Sequence, residues 1–357
     1  MIKSAYIHIP FCKKICSYCD FCKFIYNEEW VKKYLDSLEY EIKNTYKNDI
    51  LKTVYIGGGT PSSLSCEYLK KLLDICKIFK LEDDYEYTIE FNIDDISKEK
   101  LEICKEYGIN RISIGVQSFN NKNLEFLGRK TNINIKEKIL LIKNYFDNIN
   151  IDLIYALPNQ TLDDLSKDLD CFIELEIPHI SCYSLIIEKN TMLYNKKIRP
   201  IDEDLDYEMY KLINKKLSKY NHYEISNFAF SSYESKHNLT YWNNEEYYGF
   251  GVGASSYIDN KRITNSKNIV NYMKGIYNQE IETLELNDKI SLELILGFRK
   301  IKGINIIDFK NKYNRDIFDL YNIKDLIKEN KLILDNNYLF INEKYLYLSN
   351  EILVNFL

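Results

Sequence analysis

The sequence predicts an α/β protein built on a parallel sheet, followed by a small helical unit. Two observations support this fold class. In the first half of the chain, six short runs rich in β-branched residues alternate with amphipathic helical segments. From about residue 284 the pattern changes to two helices and a hairpin. Six β-α units in succession predict a sheet that curls, either a partial barrel or a doubly wound sheet.

The elements of the first half follow one another in regular alternation. Strands are expected near residues 5–9, 53–56, 87–91, 111–114, 151–154 and 179–185. Helices are expected over residues 29–47, 67–79, 98–107, 136–146 and 162–175. In both candidate architectures the functional residues lie at the carboxyl ends of the parallel strands.

The second half divides the chain further. A helix predicted over residues 202–217 precedes a Tyr-, Asn- and Gly-rich stretch, and the last region ends in a hairpin with Asn336-Asn337 at its turn. We therefore expect a core over residues 1–200, an extension with an HNxxYW motif over 201–283, and a winged-helix-like accessory domain over 284–357. No basic recognition face stands out in that domain, so a packing or lid role is favoured over DNA binding.

Composition limits the partners and the compartment. The formal charge of −5 argues against a nucleic-acid partner, because phosphate binding needs a concentrated basic surface. The first residues read as a strand and not a signal peptide, and no stretch approaches transmembrane length. Nine cysteines, an odd number, indicate reduced thiols, so we expect a cytoplasmic protein.

Three cysteines directly follow the first predicted strand. Cys12, Cys16 and Cys19 lie four and then three positions apart. Closed structural sites use four ligands, so a triplet predicts an iron-sulfur cluster with one iron left for chemistry. Cys22 keeps a closed zinc or rubredoxin-like site open as an alternative. Soft thiolates exclude magnesium or calcium as the intended ion.

Polar residues and glycines gather at the expected strand ends. A glycine-rich turn, Gly57-Gly58-Gly59-Thr60, follows the second strand, where glycine lets the backbone approach a ligand closely. The third, fourth and fifth strands carry, in order, Glu90, Gln117 and Asp152, and Arg129 follows the fourth strand as a candidate carboxylate ligand. Convergence of these side chains at one edge of the sheet predicts a binding site next to the cysteine loop.

Together these segments carry a family resemblance. The motifs YIHIPFCKKICSYCDF, VYIGGGTPSSL, TIEFN, NRISIGVQSFNNKNLEFLGR and DLIYALPNQT resemble those of radical S-adenosylmethionine (SAM) proteins of the oxygen-independent coproporphyrinogen oxidase type. The resemblance implies a partial (β/α)6 radical SAM barrel. It also implies that Cys12, Cys16 and Cys19 ligate a 4Fe-4S cluster whose fourth iron is chelated by SAM, and that one electron cleaves SAM to a 5′-deoxyadenosyl radical. The residues implied to hold SAM are Tyr6, Gly58, Gly59, Thr60, Glu90, Gln117, Arg129 and Asp152.

Two functions compete within that family, a decarboxylating oxidase and a haem chaperone. Only five residues precede Tyr6, and Phe21 stands where the oxidases have a cysteine. A tetracarboxylate porphyrinogen should also require several basic side chains, and the chain has few arginines. These features favour the haem chaperone. The resemblance then implies delivery of haem to a membrane haemoprotein, with a flavodoxin or ferredoxin as electron donor. The alternative is conversion of coproporphyrinogen III to protoporphyrinogen IX in porphyrin biosynthesis.

The HNxxYW motif supplies a candidate haem contact. His237 stands in HNLTYW, and haem iron readily takes an imidazole ligand. The flanking aromatic residues Tyr241 and Trp242 could pack on the macrocycle. A histidine among aromatic residues is also typical of a hydrogen-bonded packing residue, and this alternative stays open.

Overall fold

The computed structural model describes residues 1–357, except for the side chains of residues 278 and 279. The first half contains strands β1 (Ser4–Ile9), β2 (Phe11–Cys12), β3 (Phe24–Ile25), β4 (Ile50–Gly58), β5 (Lys80–Asn92), β6 (Arg111–Gln117), β7 (Asn148–Tyr155) and β8 (His179–Ser184). The second half adds β9 (Asn221–Glu224), β10 (Asn227–Ala229), β11 (Tyr248–Phe250), β12 (Ser255–Ile258), β13 (Lys261–Asn265), β14 (Asn278–Thr283), β15 (Ile304–Asn305), β16 (Leu332–Asp335) and β17 (Tyr338–Ile341).

Helices alternate with these strands along the chain. They are α1 (Glu28–Thr45), α2 (Cys66–Cys76), α3 (Lys98–Glu106), α4 (Asn121–Phe126), α5 (Ile135–Lys143), α6 (Leu162–Glu174), α7 (Met192–Asn195), α8 (Glu203–Lys216), α9 (Lys236–Trp242), α10 (Ile269–Met273), α11 (Leu286–Gly297), α12 (Ile306–Tyr313), α13 (Ile323–Lys328) and α14 (Ser349–Leu353). Side chains cap two of the helices: Ser65 accepts from the Tyr68 backbone amide and Thr161 from the Asp164 backbone amide. Within the described residues, none of the helices combines the length and apolarity needed to cross a bilayer.

The central sheet has nine strands in the order β11-β1-β4-β5-β6-β7-β8-β10-β9. All six strands expected from the first half are present, and each pairs in parallel with the next. Alternation within β6 shows how the sheet separates its two faces. Ile112 and Ile114 are fully buried in the hydrophobic core, whereas Ser113 lines a cavity on the other face. The predicted α/β fold, a partial barrel of six parallel strands, is confirmed.

Residues 201–283 extend this sheet at both ends. Strand β11 pairs in parallel with β1, and β10 pairs antiparallel with β8. Strands this short, of three or four residues, carry little periodic signal, so the sequence did not reveal them. The region we expected to be an extension therefore contributes strands to the core sheet itself.

The C-terminal region forms a second hydrophobic core centred on Leu294, Phe309 and Leu339. Its order of elements, α11-β15-α12-α13-β16-β17, and its sheet order β15-β17-β16 are those of a winged helix. The predicted hairpin is present, and both turn residues, Asn336 and Asn337, adopt positive φ angles of 47° and 66°. This unit is joined to the barrel by backbone hydrogen bonds between Ile225 and Arg299 and between Ile301 and Tyr223, each 3.1 Å long.

Candidate functional site

A cavity of about 520 Å³ lies inside the barrel, between the cysteine loop and the strands β4 to β8. The structure brings ten of the twelve predicted site residues to its wall: Cys12, Cys16, Cys19, Gly58, Gly59, Thr60, Glu90, Gln117, Arg129 and Asp152. Tyr6 and His237 lie outside this wall. Side chains that are far apart in sequence thus meet at the carboxyl edge of the sheet, where parallel β/α folds place their ligands.

The cysteine loop is held at both of its ends. Strands β2 and β3 pair in parallel, with Cys12 opposite Ile25. In the middle of the loop, the Ser17 amide donates to the Leu127 carbonyl at 3.1 Å. The Cys12 thiol lies 3.4 Å from the Thr60 hydroxyl, which joins the loop to the glycine turn. Burial raises the pKa of Cys12 to about 11 and raises that of Cys19, so these thiols are protonated until an electropositive centre is bound. Within the described residues, no group of three His, Cys, Asp or Glu side chains is arranged to hold a single metal ion.

Cys22 points away from the cavity. Its thiol donates to the Lys267 carbonyl at 3.7 Å, and its side chain packs against Gly253. The Cys22 carbonyl is held by the His8 ring through a 2.7 Å hydrogen bond. Since Cys22 does not line the cavity, the triplet reaches the cavity without the fourth thiolate that a closed site would require.

The glycine turn is fixed to Glu90. The Gly58 amide donates to Glu90 Oε2 at 3.0 Å, and the Tyr55 hydroxyl donates to Oε1 at 2.8 Å. Gly58 has φ of +116°, and a Cβ at this position would lie 2.5 Å from the His8 ring, so only glycine fits here. Burial raises the pKa of Glu90 to about 7, although the Tyr55 hydrogen bond acts to lower it. A cationic ligand group next to Glu90 would favour its ionised form.

Arg129 is a buried cation of the cavity wall. Its guanidinium donates to the Asn92 side-chain oxygen and, at 2.9 Å, to the Tyr18 hydroxyl. Its Nε is buried without a hydrogen-bond partner in the described residues, and none of their carboxylates forms an ion pair with it. A buried guanidinium with neutral partners and an unused donor fits a ligand carboxylate.

Two further polar residues complete this wall. Gln117 ends β6 with a φ of +72°, in the left-handed region that is unfavourable for a non-glycine residue. Asp152 accepts a 2.8 Å hydrogen bond from the side-chain Nδ2 of Asn150, and burial raises the pKa of Asp152. Its carboxylate therefore faces the cavity with capacity to accept further hydrogen bonds from a ligand.

Tyr6 lies behind the cavity wall. Its hydroxyl is 2.9 Å from His8 Nδ1, and its ring stacks against Tyr55 with the ring centroids 6.2 Å apart. This places Tyr6 under the glycine turn, where it supports the side chains that line the site.

His237 lies at the opposite end of the barrel from the cysteine loop. Its Nδ1 is 2.8 Å from the Thr53 hydroxyl, its Nε2 is 2.9 Å from the Tyr241 hydroxyl, and its ring stacks on Tyr55. Helix α9 thus closes the amino end of the sheet, and a second bond joins Thr240 to Ser4 at 2.8 Å. Both ring nitrogens of His237 are therefore within hydrogen-bond distance of hydroxyl groups, as expected of a residue that packs the core. Contact between His237 and haem stays a prediction, and it would require one of these hydrogen bonds to break.

Sequence reasoning missed several cavity residues, among them Arg111, Tyr55 and Asn238. Arg111 could have been found from the two-residue period of β6, because residues 111, 113, 115 and 117 share the face of Gln117. Asn238 carried no such signal, because it reaches the cavity from α9, which is distant in sequence and closes the far end of the barrel.

A parallel barrel with an open three-cysteine loop at its carboxyl edge defines a class of protein, the radical SAM proteins. In agreement, the family model described as the Radical SAM superfamily matches residues 6–172. The chain is 40% identical to the heme chaperone HemW of Lactococcus lactis, over 99% of this chain and 97% of the relative. It is also 40% identical to the heme chaperone HemW of Bacillus subtilis, over 100% and 99% of the two chains. The chain belongs to the HemW family within the radical SAM superfamily.

A solved structure shows the same overall fold. Coproporphyrinogen III oxidase (HemN) from Escherichia coli, described as a radical SAM enzyme, superimposes with a TM-score of 0.86. The match covers 99% of this chain and 90% of that chain at 22% identity. At this identity the likeness concerns the fold.

Proposed function

We propose that this protein is a haem chaperone that carries a 4Fe-4S cluster, binds SAM in the barrel cavity and passes haem to a haemoprotein. The observation that carries the proposal is the 40% identity, over nearly the full length of both chains, to relatives named heme chaperone HemW. The cavity supports it, because ten residues expected to serve the cluster and SAM share one wall.

The donor set fits the two cofactors. Cys12, Cys16 and Cys19 would ligate the cluster, since all three line the cavity and Cys22 does not. Arg129, with its unused Nε, would bind the SAM carboxylate, and Glu90 would accept the SAM amino group. When bound, the cluster and SAM together supply one-electron chemistry.

The cavity mouth offers an apolar surface for the macrocycle. Phe21 and Ile186 line the mouth with exposed fractions of 64% and 68%, and Tyr183 beside them is 42% exposed. Exposed apolar side chains grouped at a cavity mark a binding surface, and a haem face is apolar. The membrane acceptor, the flavodoxin or ferredoxin donor and the cytoplasmic location remain predictions.

Anaerobic purification followed by cluster reconstitution tests this function. We expect a brown protein with iron and sulfide in cluster stoichiometry, SAM binding, and a Soret band on addition of haem. A protein that binds SAM but shows no haem-dependent Soret band would contradict the proposal.

The same preparation tests His237. If His237 packs the barrel floor, the folded His237→Ala protein keeps its Soret band while its stability falls. Loss of haem with SAM binding unchanged would instead assign His237 as the haem contact. Tyr241→Phe is the matched control, because it removes the hydrogen bond to Nε2 and leaves the imidazole in place.

The competing enzymatic function is tested by substrate. Anaerobic incubation with coproporphyrinogen III, SAM and a reductant should yield no protoporphyrinogen IX from a chaperone. Product formation over many turnovers would replace the carrier proposal with that of the oxidase.

A further inference from the structure

Arg111 is a buried cation that lacks a hydrogen-bond or ion-pair partner in the described residues, although two carboxylates lie near it. It is 2% exposed, and in the described part of the chain its side chain makes neither a hydrogen bond nor an ion pair; its Nε is fully buried. A buried charge of this kind costs several kcal/mol unless a ligand or a counter-ion is present. Arg111 lies on the cavity wall, on the same face of β6 as Gln117. Its guanidinium therefore points toward the space in which a ligand would sit.

Two carboxylates and two histidine rings lie close enough to Arg111 to be influenced by its charge, but none of them forms a hydrogen bond or ion pair with it in the described residues. The carboxylates of Glu90 and Asp152 share the cavity, and burial raises both pKa values despite the opposing influence of Arg111. The nearby rings of His179 and His237 are neutral, because burial lowers both pKa values and Arg111 lowers them further. Arginine itself is never deprotonated in proteins.

Asn238 adds a second unused polar group. It lines the same cavity from helix α9, and its side-chain amide forms no hydrogen bond with the described residues. The helix is firmly placed, because the Glu86 carboxylate accepts from the backbone amides of Lys236 and His237 at 2.9 and 3.0 Å. Arg111 and Asn238 thus present donors from two rigid elements.

We propose that Arg111 and Asn238 form an anion site inside the barrel that receives a carboxylate group of the bound haem, separate from Arg129. This inference rests on the proposed haem-chaperone function. The planar guanidinium matches a carboxylate through two parallel hydrogen bonds, and the amide supplies a further donor. The HNxxYW segment then serves haem through Asn238, while His237 holds the helix in place.

The test compares haem with haem dimethyl ester, in which both propionate carboxylates are masked. Soret titrations are made with the cluster-reconstituted wild-type protein, Arg111→Met, Arg111→Lys and Asn238→Ala. We expect Arg111→Met to weaken haem binding by about tenfold or more and to leave binding of the ester and of SAM within about twofold. Arg111→Lys keeps the positive charge but cannot form two parallel hydrogen bonds. Its haem affinity should therefore lie between those of the wild type and Arg111→Met. Arg315→Met, which removes an exposed arginine from the C-terminal unit, is the control.

Each other result overturns the carboxylate site. Unchanged haem binding in a folded Arg111→Met protein would show that Arg111 only balances Glu90 and Asp152. Equal losses for haem and its ester would show a general structural effect. A loss confined to SAM would assign Arg111 to that cofactor. If the wild-type protein gives no Soret band with either compound, the chaperone function itself fails, which is distinct from all of these outcomes.

Discussion

At the scale of single residues, unused hydrogen-bonding capacity separates the cavity residues from the packing residues. Arg111 and Arg129 each bury an Nε without a partner in the described structure, and both line the cavity. His237, by contrast, has both ring nitrogens within hydrogen-bond distance of hydroxyl groups. A buried polar group without a partner is costly, so its persistence beside a cavity indicates a ligand.

Arg129 provides the first residue-scale prediction. Replacing it with methionine removes the charge-assisted hydrogen bonds to the SAM carboxylate, and we expect affinity to fall by about 2 kcal/mol, roughly 30-fold. Calorimetric titration of SAM into the anaerobic, reconstituted protein measures this change. Arg315→Met serves as control, and a SAM affinity equal to that of the wild type would remove Arg129 from the proposed cofactor site.

Glu224 provides a prediction about pH. It is fully buried at the junction with the C-terminal unit, and burial raises its pKa from 4.5 to about 7. Because the folded state holds this proton more tightly, Glu224 stabilises the fold at low pH, and that contribution is lost as pH rises from about 4.5 through 7. Glu224→Gln should therefore reduce the fall in the free energy of unfolding between pH 5 and 8 by about 2.5 kcal/mol.

Urea denaturation of the apo protein across this pH range measures the effect. Other buried carboxyls, such as Glu90 and Asp168, change stability in the same direction, so the difference between wild type and variant isolates Glu224. An exposed carboxyl, changed in Glu351→Gln, should leave the profile as it is. Identical profiles for wild type and Glu224→Gln would contradict the raised pKa.

At the scale of elements, the ends of the barrel are held by different means. The carboxyl end is open and is bordered by the cysteine loop and the glycine turn. The amino end is closed by α9, which bonds to β1 and β4 through Thr240 and His237. The placement of α9 decides which side chains of the HNLTYW motif face the cavity. Of the six residues in this motif, Asn238 lines the cavity.

The glycine turn provides an element-scale prediction. In Gly58→Ala the new methyl group would meet the His8 ring at 2.5 Å, at a φ of +116°. We expect a loss of at least about 2 kcal/mol in stability and severe loss of SAM binding, because the turn must move away from Glu90. Thermal unfolding and SAM titration measure both effects.

Gly275→Ala is the matched control for this turn. Gly275 also has positive φ, +82°, but a Cβ there has open space around it. Gly275→Ala should lower the free energy of unfolding by about 1 kcal/mol through backbone strain and leave SAM binding unchanged. If both variants behaved alike, close packing at Gly58 would not be the cause.

At the scale of the whole molecule, the C-terminal unit has a hydrophobic core separate from the clusters of the barrel. The cavity wall is built from residues between Cys12 and Asn238, so none of it comes from the winged-helix unit. That unit meets the barrel region at the segments around Tyr223 and Ile301, where Lys300 also donates to Asn243. Tyr347 adds a second contact by packing against Tyr207 and Tyr210. The stability of the C-terminal unit should therefore be separable from ligand binding in the barrel.

Gly303→Ala tests this separation. A Cβ at Gly303 would lie 2.1 Å from the Leu339 carbonyl, inside the C-terminal sheet. We expect calorimetry to show an early transition from the C-terminal unit, while the folded barrel binds SAM with wild-type affinity. A parallel loss of SAM binding would show that the two units unfold together.

The sequence by itself determined the alternating elements of the barrel, the hairpin at Asn336 and the cysteine triplet. These features depend on local periodicity and turn chemistry, which neighbouring residues encode. Tertiary structure alone decided that β11 joins the sheet beside β1, that Cys22 turns away, and that Arg111 and Asn238 share a cavity. The pairing of these strands and the orientation of these side chains depend on which distant segments pack together. The local sequence pattern does not determine either of them.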